Sequence, residues 1–375
     1  MKKLSGRPSN ISNVLLGKIT HKPINWFNRK DYILVVENEK VSTKGYAATL
    51  FKQRIEHLHN EPIISEVSDL EQLNNGDVAM IGENGVINIV YEKNSPHNAL
   101  MLTERCNCSC IMCPQPSIVK ETSKTPLNLK LISLMNKNTS LLGLTGGEPT
   151  LLGNDLLKII LACKKRLPKT ELSLLTNGIL LANPDFVEKI VSINHPKLVF
   201  EIPLYSDTDT EHDRIIGAKG FYKTIKGLYN LAQHKQMVGL RMVMHGLTCQ
   251  RLPQFAEFIY RNFPFVIHVA FMQMETIGLA QNNLENLWVD PYDYNNSLEK
   301  AVLFLNRRQI NVSIYNAQLC VLPKSLWKFS RKSISPWKNI YLDECNKCDF
   351  KEQCGGFFAS SADWHSAHIK AIKRS

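Results

Sequence analysis

Residues 99–116 read ALMLTERCNCSCIMCPQP, an apolar run that leads directly into four closely spaced cysteines. The run predicts a buried β-strand, so the cysteines fall on the loop that follows it. In parallel α/β barrels, the loops at the carboxyl ends of the strands carry the active site. Three thiolates at the spacing Cys106-x3-Cys110-x2-Cys113 can each bind one iron of a [4Fe-4S] cluster. The fourth iron then has no protein ligand and is open for chemistry.

Small and polar residues also follow the next four predicted strands. The second strand ends in Thr-Gly-Gly-Glu-Pro at residues 145–149, where the glycines would let the backbone approach a small polar ligand. Glu148 can accept hydrogen bonds from an ammonium group, and the forked donors of Arg241 suit a carboxylate. We therefore expect polar groups from five consecutive strands to meet at one face. The candidate binding residues are Gly146, Gly147, Glu148, Pro149, Asn177, Glu201, Ser206 and Arg241.

Hydrophobic periodicity predicts an alternating series of strands and helices in the middle of the chain. Strands are predicted at 99–102, 141–144, 171–175, 198–205, 239–244 and 266–271. Helices are predicted at 127–136, 155–166, 184–191, 222–234, 252–262 and 292–308. Six βα units in a row imply an α/β fold with a parallel sheet and right-handed crossovers, either a partial barrel or a doubly wound sheet.

Two further regions flank this series. Residues 1–97 contain short β-type runs such as Tyr32–Val36 and Val86–Tyr91, separated by turn signals, and predict a small N-terminal α+β domain. Residues 98–315 hold the βα units. Residues 316–375 lose the rhythm and become rich in cysteine, tryptophan and loops, which predicts a C-terminal cysteine-rich module that binds a metal cluster.

The cysteines of the last region form a second candidate metal site. Four of the ten cysteines lie at 106–113 and three more at 345–354, a grouping that favours metal ligation over disulfides in a reduced protein. Zinc is the competing metal, since four cysteines, or three with His365 or His368, would complete a tetrahedral site. The candidate ligands here are Cys320, Cys345, Cys348 and Cys354.

The N-terminal sequence, the apolar runs and the net charge indicate where the protein resides and which partners it lacks. The N-terminus lacks the apolar stretch of a secretory signal, and the longest apolar runs are shorter than the roughly 18–20 residues that cross a bilayer. The net charge is +11, but it is spread along the chain without a basic stripe and so disfavours a nucleic-acid partner. We expect a cytoplasmic globular protein with no membrane partner.

In combination, the cysteine loop and the Gly-Gly-Glu-Pro segment make residues 98–315 resemble the radical S-adenosylmethionine (SAM) superfamily. The resemblance implies a partial (βα)6 TIM-type barrel and a [4Fe-4S] cluster that cleaves SAM reductively to a 5′-deoxyadenosyl radical. Its catalytic ligands would be Cys106, Cys110 and Cys113. Cys108 is absent from the usual pattern, which leaves open whether it replaces a neighbour.

The same resemblance assigns the SAM contacts. Gly146, Gly147 and Glu148 would hold the methionine end of SAM. Ser206 and Arg241 would contact its carboxylate, and Asn177 and Glu201 would lie near the ribose. Taken singly, Asn177, Glu201 and Arg241 fit a structural turn or salt bridge equally well.

The C-terminal cysteines resemble the auxiliary-cluster module of the SPASM/Twitch group of peptide-modifying enzymes. This resemblance implies one additional [4Fe-4S] cluster with three or four cysteine ligands. Over the whole chain, the segments 102–116, 144–150, 203–206 and the Cys354-Gly-Gly-Phe-Phe ending resemble the His-Xaa-Ser system radical SAM maturases. That family implies modification of a precursor protein with His-Xaa-Ser repeats, a second radical SAM maturase as partner, and an electron donor such as flavodoxin or ferredoxin.

Two other functions fit parts of the pattern. An RNA-modifying radical SAM enzyme would suit the positive charge and would release bound RNA at high salt. A non-enzymatic iron–sulfur or zinc-binding protein would use the cysteines without binding SAM.

Overall fold

The structure is a computed structural model that describes residues 3–37, 41–55, 60–333, 339–361 and 363–374. Within these residues the chain forms two eight-stranded sheets and one two-stranded sheet. The first sheet is built by the N-terminal residues, the second by the middle of the chain, and the third by the C-terminal region.

The N-terminal sheet is mixed. Its strand order is β1-β8-β7-β3-β4-β5-β6-β2, with parallel pairing from β3 to β6 and antiparallel pairing elsewhere. The strands are β1 (Lys3–Ser5), β2 (Arg7–Ser9), β3 (Leu15–Thr20), β4 (Tyr32–Val36), β5 (Ala48–Phe51), β6 (Ile63–Ser65), β7 (Val78–Ile81) and β8 (Val86–Tyr91).

The second sheet is parallel throughout and carries the chemistry-bearing loops. Its strands lie in chain order, so each one pairs with its neighbours in sequence, and β9 and β16 form the edges. The strands are β9 (His97–Thr103), β10 (Leu141–Gly146), β11 (Glu171–Leu175), β12 (Leu198–Pro203), β13 (Met237–Met244), β14 (His268–Gln273), β15 (Asn311–Tyr315) and β16 (Ser330–Arg331). Since all run in one direction, their carboxyl ends share one edge, which we call the rim.

Helices connect these strands. They are α1 (Thr125–Leu134), α2 (Asn154–Arg166), α3 (Pro184–Ser192), α4 (Asp209–Ile216), α5 (Phe221–Gln233), α6 (Leu252–Asn262), α7 (Leu279–Asn282), α8 (Leu284–Leu287) and α9 (Asn295–Arg307). Local sequence sets their ends. The α3 helix begins at Pro184 because the Asn183 side chain accepts from the N–H groups of Asp185 and Phe186. The α4 helix ends where Gly217 takes a left-handed conformation.

One apolar core joins the parallel sheet to its helices. It contains fully buried strand residues such as Leu142 and Phe200 together with helix residues such as Ile159 and Phe255. Tyr91 of β8 lies in the same core, and its hydroxyl is 2.9 Å from that of Thr139. The N-terminal sheet therefore packs directly against the parallel sheet and its helices.

The parallel α/β sheet predicted from the periodicity is confirmed, and it is larger than predicted. Each of the six predicted strands and helices is found with small shifts of its ends, and β15 and β16 extend the sheet. The predicted N-terminal α+β domain corresponds to the first sheet, and the described residues before β9 contain strands and two 3₁₀ helices, Trp26–Asp31 and Leu70–Gln72, but no α-helix. No described helix has both the length and the apolar surface needed to span a membrane.

The C-terminal region completes the molecule. It forms the antiparallel pair β17 (Asn339–Ile340) and β18 (Phe357–Phe358), with the 3₁₀ helices Asp343–Lys347, Lys351–Gln353 and Ala359–Ser361 around it.

Candidate active site

The cysteine loop, residues 104–113, leaves the carboxyl end of β9 at the rim. The last turn of α4 holds one side of it. The N–H of Ser109 donates to the carbonyl of Ile216 at 2.9 Å, and the N–H of Ile111 donates to the carbonyl of Ile215 at 3.0 Å. The loop is therefore fixed through backbone groups, which leaves its thiols free for another role.

A segment from far along the chain holds the other side of the loop. The side-chain amide of Asn283 donates to the carbonyl of Ile111 at 3.0 Å, and the N–H of Leu279 donates to the carbonyl of Cys113 at 2.8 Å. A Cβ on Gly278 would lie 2.6 Å from the same Cys113 carbonyl. The close approach at this point requires glycine.

The loop thiols differ in exposure. Cys106, Cys110 and Cys113 are partly exposed, whereas Cys108 is 6% exposed and packs in an apolar cluster with Met112. Burial raises the pKa of Cys110 to about 12 in the metal-free protein. The three partly exposed thiols are those predicted as cluster ligands.

Cys108 has partners of its own. The hydrogen bond from its thiol to Cys106 lowers the pKa of Cys106 to about 7, and the same bond together with burial raises the pKa of Cys108 far above its ordinary value. The N–H of Cys108 also lies 3.4 Å from Sγ of Cys106, and the side-chain amide of Asn177 donates to Sγ of Cys108 at 3.4 Å. Cys108 is therefore placed to support Cys106 by hydrogen bonding.

The donor set of this loop fits an iron–sulfur cluster. Within the described residues, no three His, Cys, Asp or Glu side chains are grouped to hold one metal ion. A cubic cluster takes one thiolate on each of three irons, so its ligands lie farther apart than the ligands of a single ion. Cys106, Cys110 and Cys113 would hold such a cluster, which supplies one-electron chemistry when bound.

The glycines after β10 pack against the cysteine loop. A Cβ on Gly146 would lie 2.2 Å from the carbonyl oxygen of Thr103, and one on Gly147 would lie 2.2 Å from that of Arg105. The N–H groups of Gly147 and Glu148 donate to these two carbonyls at 2.8 Å. The predicted close backbone approach is present, but the described partner is the start of the cysteine loop.

Glu148 lies beneath the rim and is fully buried. Its Oε1 accepts from the N–H and hydroxyl of Thr150 at 2.9 and 2.5 Å and from the hydroxyl of Thr176 at 2.6 Å. Its Oε2 accepts from the N–H of Asn177 at 2.6 Å. Burial raises the pKa of the carboxyl despite these donors. The carboxylate thus ties the end of β10 to the end of β11, while Pro149 begins the 3₁₀ helix Pro149–Leu152.

Asn177 and Ser206 occupy the next two positions around the rim. The Asn177 amide donates to Oδ1 of Asn107 at 2.7 Å, which joins the end of β11 to the cysteine loop. The hydroxyl of buried Ser206 accepts from the N–H of Thr208 at 3.2 Å, just before α4. Asn177 thus contacts the cysteine loop, whereas Ser206 holds the turn before α4.

Glu201 and Arg241 lie on adjacent strands. Their side chains make fewer hydrogen bonds than those of Glu148 and Asn177. A Cβ on Gly239 would lie 2.8 Å from both carboxylate oxygens of Glu201, so glycine makes room for this side chain. Burial raises the pKa of Glu201, and the charge of Arg241 acts in the opposite direction. The Arg241 guanidinium lies 3.2 Å from Sδ of Met272. The pair can therefore offer charged groups to a ligand.

The family comparison agrees with this geometry. The sequence model of the radical SAM superfamily matches residues 100–259 of this chain. That segment contains the cysteine loop and Glu148. Residues 100–259 therefore resemble a radical SAM domain.

Known proteins resemble this domain at low identity. The GTP 3′,8-cyclase of Desulforamulus reducens is 25% identical over 194 residues, which cover 50% of this chain and 58% of that protein. Streptococcus suis SuiB bound to S-adenosylmethionine is 13% identical with a TM-score of 0.50, covering 65% of this chain and 54% of that chain. The chain thus matches little more than half the length of either protein.

A third similar protein is anSMEcpe, solved with bound AdoMet and a Kp18Cys peptide. It is 15% identical with a TM-score of 0.53, and the match covers 74% of this chain and 93% of that chain. At these identities, the two solved structures establish a shared fold.

Outside residues 100–259, the four C-terminal cysteines converge. Cys320, Cys345, Cys348 and Cys354 line one cavity together with Tyr341 and other side chains. The N–H of Leu319 donates to Sγ of Cys354, and that of Ile372 donates to Sγ of Cys348, each at 3.4 Å. Thiolates that bind a metal commonly accept such bonds from the backbone. The site has the donor set of an iron–sulfur cluster, whereas within the described residues no three of these thiols are grouped closely enough to hold a single ion such as zinc.

The two histidines considered as zinc ligands lie elsewhere. His365 packs edge-on against Phe357 at a ring distance of 5.9 Å, and His368 stacks on Tyr292 at 3.9 Å. Neither lines the cysteine cavity. Of the ligand sets considered, the structure brings the four cysteines into one cavity.

Three polar residues on the same rim were not predicted. His245 follows β13, Gln273 ends β14, and Asn316 follows β15, and all three line a second cavity. Their position at the carboxyl ends of consecutive strands is a signal that the sequence carries, because active-site residues of parallel barrels occupy such positions.

Proposed function

We propose that this chain is a radical SAM enzyme that modifies a peptide or protein precursor in the cytoplasm, on a partial (βα)6 TIM-type barrel. The precursor would carry His-Xaa-Ser repeats. A second radical SAM maturase would act with the enzyme, and a flavodoxin or ferredoxin would donate electrons. The cofactors would be a SAM-binding [4Fe-4S] cluster, SAM, and an auxiliary [4Fe-4S] cluster on the C-terminal cysteines.

The observation that carries this proposal is the presence of two separate cysteine sets in one chain. The first lies on the loop after β9, and the second lines a cavity in the C-terminal region, which follows directly from the same parallel sheet. A second redox centre beside a radical SAM domain supports chemistry that removes electrons from the substrate. The likeness to anSMEcpe, whose structure includes a bound peptide, supports a peptide substrate.

The protein side of the proposed reaction consists of positioning and exclusion of water. A bound cluster and SAM would supply the 5′-deoxyadenosyl radical that abstracts hydrogen from the precursor. Cys106, Cys110 and Cys113 would hold the cluster on a loop clamped from both sides. Glu201 and Arg241 would orient the ligand through their charges, since their side chains make few hydrogen bonds within the protein.

SAM cleavage tests the first part of the proposal. Anaerobically reconstituted, dithionite-reduced protein should convert SAM to 5′-deoxyadenosine and methionine, measured by liquid chromatography. Cys110→Ala should abolish the product. Cys108→Ala is the matched control and should retain most of it, because Cys108 is buried beside Asn177. Full activity of Cys110→Ala would contradict the ligand assignment.

Mass spectrometry of the precursor tests the second part. The precursor would be expressed with the wild-type chain, with the Cys110→Ala variant, or alone. A mass change that requires the wild-type chain is the expected result. An unchanged precursor under conditions in which SAM is cleaved would overturn the maturase proposal while leaving the radical SAM activity intact.

A second candidate substrate is a purine nucleoside triphosphate, because two proteins similar in sequence are GTP 3′,8-cyclases. A triphosphate needs several cationic side chains around it. The rim cavity that contains His245 has no Lys or Arg among its described lining residues. Incubation with GTP and SAM decides between the substrates, since GTP-dependent formation of 5′-deoxyadenosine would favour cyclisation.

A further inference from the structure

We propose that the cavity beside His245, Gln273 and Asn316 binds an uncharged polar group of the peptide substrate, one that accepts two hydrogen bonds and donates one. This inference rests on the proposed peptide-modifying function and assigns the substrate-binding half of the rim. The ligand classes that meet this description are a carboxamide, a hydroxyl and a backbone peptide group.

The cavity lies between the rim and the C-terminal region. Its volume is about 40 Å³, above the roughly 10–15 Å³ that one water molecule needs. Trp364, which is 45% exposed, lines it and places part of its wall at the surface. A group on a larger molecule can therefore enter from outside.

Three buried polar atoms in this cavity have no hydrogen-bond partner. They are Nε2 of His245, Nε2 of Gln273 and Oδ1 of Asn316. His245 and Asn316 are each 1% exposed. Native proteins leave few buried polar atoms unpaired, since each costs free energy. Three such atoms around one cavity indicate a ligand.

The hydrogen-bond network fixes the chemistry of two of these atoms. Nδ1 of His245 accepts from the N–H of Leu247 at 3.3 Å, so the neutral ring carries its proton on Nε2. Oδ1 of Asn339 accepts from the N–H of Ser333, so Asn316 must direct its NH2 group there, at 3.0 Å, and its oxygen into the cavity. His245 therefore offers a donor and Asn316 an acceptor.

Gln273 supplies the second donor. Its amide nitrogen is the unpaired atom, and its side chain also interacts with the hydroxyl of Tyr294, which lines the same cavity. Two donors and one acceptor match a group that accepts twice and donates once. A carboxylate only accepts and would oppose the oxygen of Asn316, whereas an ammonium only donates and would leave both donors unpaired.

The remaining wall of the cavity is mostly apolar, and its other histidine, His365, packs edge-on against Phe357. Its described lining residues include no Asp, Glu, Lys or Arg, and apolar side chains such as Met244, Leu287 and Phe357 make up much of it. A charged group would lose its hydration there without a compensating partner. The ligand group is therefore neutral when bound.

The cavity also lies next to the cysteine loop. Met274 and Leu287 line the cavity and belong to the apolar cluster that contains Cys108 and Met112. The loop and the three polar residues thus occupy neighbouring parts of one rim. A substrate group held by His245 would lie one layer of side chains from the proposed radical chemistry.

The first experiment tests the binding class directly on the full chain, with acetamide as the probe. Crystals of the anaerobically reconstituted protein are soaked with acetamide or with acetate at equal concentration. Acetamide should bind with its oxygen at His245 and Gln273 and its nitrogen at Asn316. Equal occupancy by acetate, or ordered water alone in both soaks, would overturn the inference.

The second experiment uses the coexpressed precursor. His245→Phe and Gln273→Met should each lower the modified fraction by about tenfold, because the substrate group loses a buried partner. SAM cleavage without precursor should stay at the wild-type level, since neither residue is assigned to SAM. Gln281→Met, at an exposed position of α7, is the control and should have no effect.

The two experiments separate the inference from the proposed function. If acetamide binds as expected but the wild-type chain leaves the precursor unmodified, the proposed function fails and the binding class stands. If the wild-type chain modifies the precursor and both variants match it, the inference fails and the proposed function stands.

Discussion

The backbone N–H of Asn177 lies 2.6 Å from Oε2 of Glu148, beneath the rim of the parallel sheet. Three further donors, from Thr150 and Thr176, converge on Oε1 of the same carboxylate. Asn177 in turn bonds to Asn107 and Cys108 of the cysteine loop. Glu148 therefore supports the loop from below, through the end of the neighbouring strand.

Glu148→Gln should destabilise the protein although it preserves the shape of the side chain. Either orientation of the new amide directs its NH2 group at a backbone N–H, of Thr150 or of Asn177, and leaves a buried donor unpaired. The expected loss is about 1–3 kcal/mol in the free energy of unfolding, measured by equilibrium urea unfolding. The control is Glu257→Gln on the surface of α6, where the carboxylate pairs with Arg261 in solvent. An equal loss in both variants would refute the proposed support.

Gly147→Ala should lower iron content as well as SAM binding. The added Cβ would meet the Arg105 carbonyl at 2.2 Å, so the start of the cysteine loop must shift. Gly143→Ala on β10, four residues earlier, is the matched control, because its Cβ would lie 3.6 Å from that of Ala99, an ordinary contact distance. Iron analysis after anaerobic reconstitution measures the effect. Wild-type iron in Gly147→Ala would show that the loop accommodates the methyl group.

The C-terminal cysteines should hold a cluster independently of the cysteine loop after β9. With Cys106, Cys110 and Cys113 all changed to Ala, reconstituted protein should retain about four irons per chain. A zinc site would give one zinc and no iron. Adding Cys320→Ala should remove iron if this thiol is a ligand, whereas Cys163→Ala should not, because Cys163 is buried in the core. Metal analysis with absorption spectroscopy distinguishes these results.

Two buried histidines should remain neutral in mild acid. Burial lowers the pKa values of His212 and His245 to about 4. Because a folded pKa below the ordinary 6.5 favours the neutral form, each contributes stability that is present above pH 6.5 and is lost as the pH falls toward 4. Proton NMR of the imidazole signals should show at least two of the 11 histidines unchanged from pH 8 to 5.5. His212→Asn should remove one of these signals, and titration of all the signals near pH 6.5 would contradict the prediction.

Much of the parallel sheet was predictable because most of its strands are rich in apolar residues and their connections are long. The strand Glu171–Leu175 was predicted with its observed ends. Periodicity failed where polar residues dominate, as in α4, whose first six residues are Asp209 to Arg214. It also failed at β16, which is two residues long and is recognisable only from its pairing with β15.

The candidate site was predictable in its residues but less so in their contacts. Spacing alone placed Cys106, Cys110 and Cys113 on one loop. Sequence could not show that the carboxylate of Glu148 is surrounded by donors from Thr150 and Thr176, because those contacts depend on strand register. Nor could it show that Nε2 of His245 has no hydrogen-bond partner, since that depends on which side chains the surrounding elements place near it.

The clamp on the cysteine loop has a consequence for the order of events during synthesis. Asn283, which holds the carbonyl of Ile111, follows it by 172 residues. At a translation rate of about 5–20 residues per second, the loop emerges roughly 9–35 s before that amide exists. During this interval the thiols are on the nascent chain without their distal support. Because the two residues are this far apart in the chain, iron binding is favoured after most of the polypeptide has left the ribosome.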